Sequence, residues 1–215
     1  MKKLIIFDLD GTLLNTVADL AQSTNYALKK NGFPEHEISE YKYFVGNGIN
    51  KLFERALPKG DKTEENILAV RKEFLAHYDK HNADLSNPYP GIKELLETLQ
   101  NKKIALAVAS NKYHSATEKL IKHYFPQIHF IAVLGQREGI APKPDPAIIS
   151  EILSIYKVEK EEILYVGDSG VDMQTAFNSG ITSLGVTWGF RTREELKENK
   201  ANFLIDTPEE ILSFL

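Results

Sequence analysis

The sequence predicts an α/β protein built on a parallel, doubly wound sheet, with a small all-helical block inserted after the first strand. Three observations predict it. Short β-branched and aliphatic runs alternate with helical segments along most of the chain. Several of those runs are apolar on consecutive residues, as strands are when helices cover both faces of their sheet. One interval, from about Thr16 to about His81, carries helical patterns only.

The first strand is "KLIIF", residues 3–7. In the block that follows, "TVADLAQSTNYALKKNG" reads as a helix with Gly32 as its C-terminal cap, and "INKLFERALP" and "TEENILAVRKEFLAHYDKHN" read as two more. Phe53, Phe74 and Tyr78 lie at helical spacing and are expected in the core of this block. Chain economy makes the block an insert, with linkers near Asn15–Val17 and in "HNADLSNPYPG". Alternation then resumes. The strands are "KIALAVA" (103–109), "FIAVL" (130–134), "ILYVG" (163–167), "TSLGV" (182–186) and "NFLI" (202–205), and the helices are "GIKELLETLQN", "SATEKLIKHYF", "PAIISEILSIY" and "PEEILSFL".

With 215 residues, 42% of them hydrophobic and 26% charged, the chain can bury a sizeable core under an ordinary polar surface. Its net charge is −4 and its basic residues are scattered, which argues against nucleic acid as a partner. The absence of cysteine removes disulfides, thiolate metal sites and cysteine nucleophiles. The apolar run "LIIF" is too short for a signal peptide, and none approaches the roughly 20 residues that span a bilayer. The chain is expected to be cytoplasmic, without membrane contact.

Ligands of a doubly wound sheet bind beyond the carboxyl ends of its strands. There the chain places Asp8-Leu9-Asp10-Gly11-Thr12, Ser110-Asn111-Lys112 and Gly167-Asp168-Ser169-Gly170-Val171-Asp172, and Lys143 lies in the loop "APKPDP". Each motif alone has a plain structural reading, as a turn, a helix cap or a solvated cation. Together, each at a strand end, they point to a site. Four aspartates on two loops repel one another unless protons or a cation intervene, and hard oxygen ligands suit Mg²⁺.

The set Asp8-x-Asp10-Gly11-Thr12, Ser110, Lys143 and Gly167-Asp168-Ser169-x-x-Asp172 resembles the four signature motifs of the haloacid dehalogenase-like hydrolase superfamily, along nearly the whole chain. The resemblance implies a Rossmann-like core of residues 1–15 and 82–215, a helical cap of residues 16–81, and a Mg²⁺-dependent phosphatase working through an aspartyl phosphate. Asp8 would be the nucleophile and Asp10 the general acid and then base. Asp8, the Asp10 carbonyl and Asp168 would hold Mg²⁺, with Asp172 and Thr12 orienting them. Ser110 and Lys143 would hold the phosphoryl oxygens, helped by the backbone N–H groups of Leu9 and Asn111.

The cap stretch "FVGNGINKLFERALP" (44–58), "YPGIKELLETL" and "GVTWGF" resemble the phosphoglycolate phosphatase branch. The expected substrate is therefore a small phosphorylated metabolite, 2-phosphoglycolate first, with Asn47, Lys51 and Arg55 as its cap contacts and the protein acting as a monomer or homodimer. A phosphomutase like β-phosphoglucomutase and a pyrophosphatase of the same superfamily are the alternatives. A receiver-like phospho-acceptor is disfavoured by the cap and by the place of Asp8 after the first strand.

Overall fold

A computed structural model describes all residues, 1–215. Strand β1 (Leu4–Phe7) is followed by the short β2 (Leu14–Asn15) and four helices: α1 (Val17–Lys30), α2 (Tyr41–Phe44), α3 (Ile49–Ala56) and α4 (Glu64–His81). The chain returns through β3 (Asn87–Pro88) to α5 (Ile92–Asn101), β4 (Ala105–Tyr113), α6 (His114–Tyr124) and β5 (Ala132–Gln136). It continues with α7 (Ala147–Ile155), β6 (Ile163–Gly167), α8 (Gly170–Ser179), β7 (Thr182–Val186), α9 (Arg193–Glu198) and β8 (Phe203–Ile205).

The main sheet has the order β5-β4-β1-β6-β7-β8, with every neighbouring pair parallel. Chain order runs outward in opposite directions from the boundary between β1 and β6, so the loops leaving those two strands diverge and open a crevice. Residues of β1 alternate between two apolar layers. Ile5 and Phe7 pack with α5, α6 and the C-terminal segment, and Leu4 and Ile6 with α7 and α8. All four are fully buried, which explains the unbroken apolar run.

The helical block packs around a second apolar cluster, which also takes in Ala116 and Phe190 from the rest of the chain; in it Phe53 packs edge-on against Phe74 at 5.1 Å and Phe74 stacks on Tyr78 at 5.0 Å. Gly32 sits just past the end of α1 at φ +76°, and the Phe33 amide closes back on the Leu28 carbonyl, the left-handed termination that glycine permits.

Four features depart from the sequence reading. Strand β4 continues past residue 109 to Tyr113 and carries Ser110, Asn111 and Lys112 at its end. Both linkers form a two-residue antiparallel ladder, Leu14 opposite Pro88 and Asn15 opposite Asn87, too short to leave a periodic pattern. Helix α2 was not foreseen because one turn shows no periodicity. "PEEILSFL" forms a 3₁₀ helix, Pro208–Phe214, rather than an α-helix, entered through a Thr207–Glu210 capping box and with Ile211 buried.

Candidate active site

Asp8 follows β1 directly, its amide still bonded to the Val166 carbonyl of β6 at 2.9 Å, so the ladder itself aims the carboxylate into the crevice. Asp168 follows β6 in the same way. The turn between Asp8 and β2 folds tightly at Gly11, whose φ is +90°; a Cβ there would stand 2.3 Å from Asp168 Oδ2. Only glycine meets both demands.

Oxygens of Asp8, Asp168 and Asp172 lie within 4.8 Å of one another, all buried. Asp168 is oriented by the Phe190 amide at 2.7 Å and by the Thr12 hydroxyl at 3.3 Å. Asp172 is the one of the three whose two oxygens are both already engaged. Its Oδ2 accepts the Ser169 hydroxyl (2.6 Å) and amide (3.1 Å) in a capping box at the start of α8, and its Oδ1 accepts Lys143 Nζ at 2.7 Å.

Lys143 is the cation of this cluster. Besides Asp172, its Nζ donates to the Ala109 carbonyl (2.9 Å) and the Tyr165 hydroxyl (3.0 Å), which uses all three N–H bonds. It also stands 2.9 Å from Asp8 Oδ1, so that oxygen feels the charge but receives no directed hydrogen bond. Burial pulls the Lys143 ammonium toward neutrality, yet Asp172 and Asp8 together hold its pKa well above the usual lysine value. Burial first, and then Asp172, push the Asp8 carboxyl up to about 7. Burial, Asp172 and Asp8 likewise raise Asp168 well above the ordinary carboxylate range. Three mutually repelling carboxylates and one orphaned buried oxygen make a site that a divalent cation fits.

Asp10 lies outside this knot. Its Oδ1 accepts the Thr16 hydroxyl at 2.6 Å, and both of its oxygens face Lys112 Nζ, at 3.0 and 3.1 Å. Ser110 Oγ accepts the Lys112 amide, leaving its own O–H free to donate. Asn111 bolts three segments together: its side chain exchanges bonds with the Lys143 backbone (2.8 and 3.0 Å) and donates to the cap carbonyl of Gly46 (3.1 Å). Asp8, Asp10, Ser110, Asn111 and Lys112 line one cleft between the core and the helical block.

The haloacid dehalogenase-like hydrolase family matches residues 5–186. This chain belongs to that family. Within the haloacid dehalogenase-like hydrolases it lies on the phosphoglycolate phosphatase-like branch. It is 33% identical to the phosphoglycolate phosphatase of Vibrio parahaemolyticus, over 98% of this chain and 94% of that one. A Pasteurella multocida protein of the same name is also 33% identical, over 99% and 98% of the two chains. The crystal structure of a predicted phosphoglycolate phosphatase from Haemophilus somnus superposes with a TM-score of 0.91 at 30% identity, covering 99% of this chain and 97% of that one.

Not every residue singled out in the sequence reaches the cleft of this haloacid dehalogenase-like hydrolase. The Arg55 guanidinium is occupied within the cap, donating to the Phe44 carbonyl (2.9 Å) and to Asn47 Oδ1 (2.7 Å), where it satisfies chain ends that α2 leaves open. Lys51 is exposed and pairs with Glu54 at 2.6 Å. Asn47, Lys51 and Arg55 therefore do not line the cleft over Asp8; Leu20, Val45, Ile49 and Leu52 form its cap wall. Sequence reasoning gave no role to Lys112, although residues two apart on a strand share a face and Ser110 was already singled out. It marked "GVTWGF" only as a family likeness and gave no structural role to the turn at 188–190, where Trp188 donates to the Thr12 carbonyl at 3.1 Å. A Cβ on Gly189 would lie 2.2 Å from Asp168 Cβ. No helix is long and apolar enough to cross a membrane.

Proposed function

We propose that the protein hydrolyses 2-phosphoglycolate, with the phosphoryl group carried for part of the cycle on Asp8. The observation that carries this reading is the Asp8 carboxylate itself. It is fixed at a strand end, charged by Lys143 yet free of a directed donor at Oδ1, and it shares one cleft with Asp10 and Ser110. The relatives' shared name supports the narrow substrate.

In the first half-reaction an Asp8 oxygen attacks phosphorus and the ester P–O bond breaks, while Asp10 gives a proton to the departing alkoxide. In the second, Asp10 takes a proton from water as the water attacks the Asp8-bound phosphoryl group, releasing phosphate and restoring the carboxylate. The Ser110 hydroxyl and the Leu9 and Asn111 amides hold the phosphoryl oxygens in line by hydrogen bonds, and the Lys143 ammonium acts on them as a nearby compact charge. Asp8, Asp168 and the Asp10 carbonyl would bind Mg²⁺. Asp172, committed to Lys143 and Ser169, orients rather than ligates, and Thr12 steadies Asp168. Bound there, Mg²⁺ offsets the repulsion between an anionic nucleophile and an anionic ester.

A panel of 2-phosphoglycolate, β-glucose 1-phosphate, pyrophosphate and p-nitrophenyl phosphate tests the reading. The first is expected to show the highest kcat/KM, and Asp8→Asn to lower turnover of every substrate by more than about 10⁴-fold. If another ester wins, the narrow substrate is wrong. Substantial turnover by Asp8→Asn would remove the covalent route.

A further inference from the structure

Lys112 is buried, its side chain 2% exposed, and its Nζ lies between the two Asp10 oxygens and the ring of Tyr78 on α4, 4.8 Å from the ring centroid. It is the one cationic side chain lining the cleft over Asp8 and Asp10, whose cap wall is aliphatic. We propose that Lys112 determines specificity by receiving the carboxylate of an ester in which that group sits on the carbon next to the leaving oxygen. This inference rests on the phosphatase reading above and assigns the residue that recognises the non-phosphate end of the substrate.

The placement follows from the division of labour around Asp10. Asp10 serves the leaving oxygen, and in 2-phosphoglycolate the carboxylate is one carbon beyond that oxygen, so the neighbour of Asp10 is the neighbour of the carboxylate. To reach the leaving oxygen, Asp10 must release at least one of its two contacts with Lys112. The freed N–H then belongs to a cleft whose cap side chains, Leu20, Val45, Ile49 and Leu52, offer no acceptor. A buried ammonium donor is not left unpaired cheaply, and a carboxylate satisfies both its charge and its hydrogen bond. No other cation competes. Lys143 has spent its three N–H bonds, Arg55 is bound to the cap backbone, and Lys51 is paired outside.

The test compares 2-phosphoglycolate with 2-hydroxyethyl phosphate, which differs in carrying a hydroxymethyl group where the first has its carboxylate. The wild-type enzyme should prefer the first, and Lys112→Met should reduce the ratio of the two kcat/KM values by roughly 10- to 100-fold, the worth of one charged hydrogen bond. A residue that only positioned Asp10 would slow both substrates alike and leave the ratio unchanged, which would overturn the inference and spare the phosphatase reading. A wild-type enzyme with no preference would overturn the inference, while phosphatase turnover itself would still be judged on Asp8. Should Lys112→Met fail to fold, a crystal structure of Asp8→Asn with 2-phosphoglycolate decides. A carboxylate oxygen within hydrogen-bond distance of Lys112 Nζ supports the assignment, and a carboxylate bound elsewhere refutes it.

Discussion

Lys143 Nζ lies 2.7 Å from Asp172 Oδ1, with at most 2% of either side chain exposed. Removing Asp172 leaves the buried Lys143 ammonium with Asp8 as its one remaining counter-charge, and breaking such a buried pair costs up to about 3–5 kcal/mol. Asp172→Ala should therefore lose about that much stability in urea unfolding, and its turnover should fall because the freed ammonium no longer points its N–H bonds as before. An unfolding midpoint within error of the wild type would show that the pair carries no such weight.

Asp10→Asn keeps the shape of the acid and removes its proton. p-Nitrophenol leaves readily without protonation and a simple alkoxide does not. The variant should thus retain a measurable burst of p-nitrophenol while its turnover of 2-phosphoglycolate drops by roughly 10²–10⁴-fold. Rapid-quench kinetics on both substrates would check this, and equal losses on the two would contradict an acid role.

Turnover should vanish in EDTA and return with Mg²⁺, but not with Ca²⁺. The larger ion takes 6–8 oxygens at longer distances and would engage both oxygens of Asp8, spoiling the in-line approach. Full activity in a metal-stripped preparation verified by elemental analysis would argue against the site.

Without metal, Asp8 and Asp168 hold protons more tightly in the folded chain than in the unfolded one, where each returns to its ordinary value of 3.8. Their contribution to stability is present in full below that value and is lost as pH rises through the raised folded values, about 7 for Asp8. The metal-free protein should accordingly show a Tm that falls between pH 5 and pH 8, and Asp168→Asn should flatten that fall. Mg²⁺ should raise Tm more at pH 8 than at pH 5, since it competes with those protons. Calorimetry across the range, with and without the ion, would reveal a flat profile if the reading is wrong.

The strands that carry the site were legible because both of their faces are covered: "LIIF" and "ILYVG" could hardly be anything but interior strands. Asp8, Asp10, Ser110, Lys143 and Asp168 were legible from their places after such runs. Lys112 was not, since a lysine after a strand is usually solvated and only the tertiary fold brings Asp10 to it across 102 residues of sequence. The direction of the Arg55 side chain was equally hidden, because the carbonyls it binds are exposed by a break in helix that no periodicity announces.

The ladder that sets Asn15 opposite Asn87 places the two ends of the helical block side by side. A segment whose ends already meet can be exchanged without stretching what it is attached to. Everything between those two residues could be swapped for another fold, or shortened to a tight hairpin, while β1 and its nucleophile kept their register. The aliphatic cap wall over the cleft can thus change on a stretch of the chain separate from the strands that carry Asp8 and Lys112.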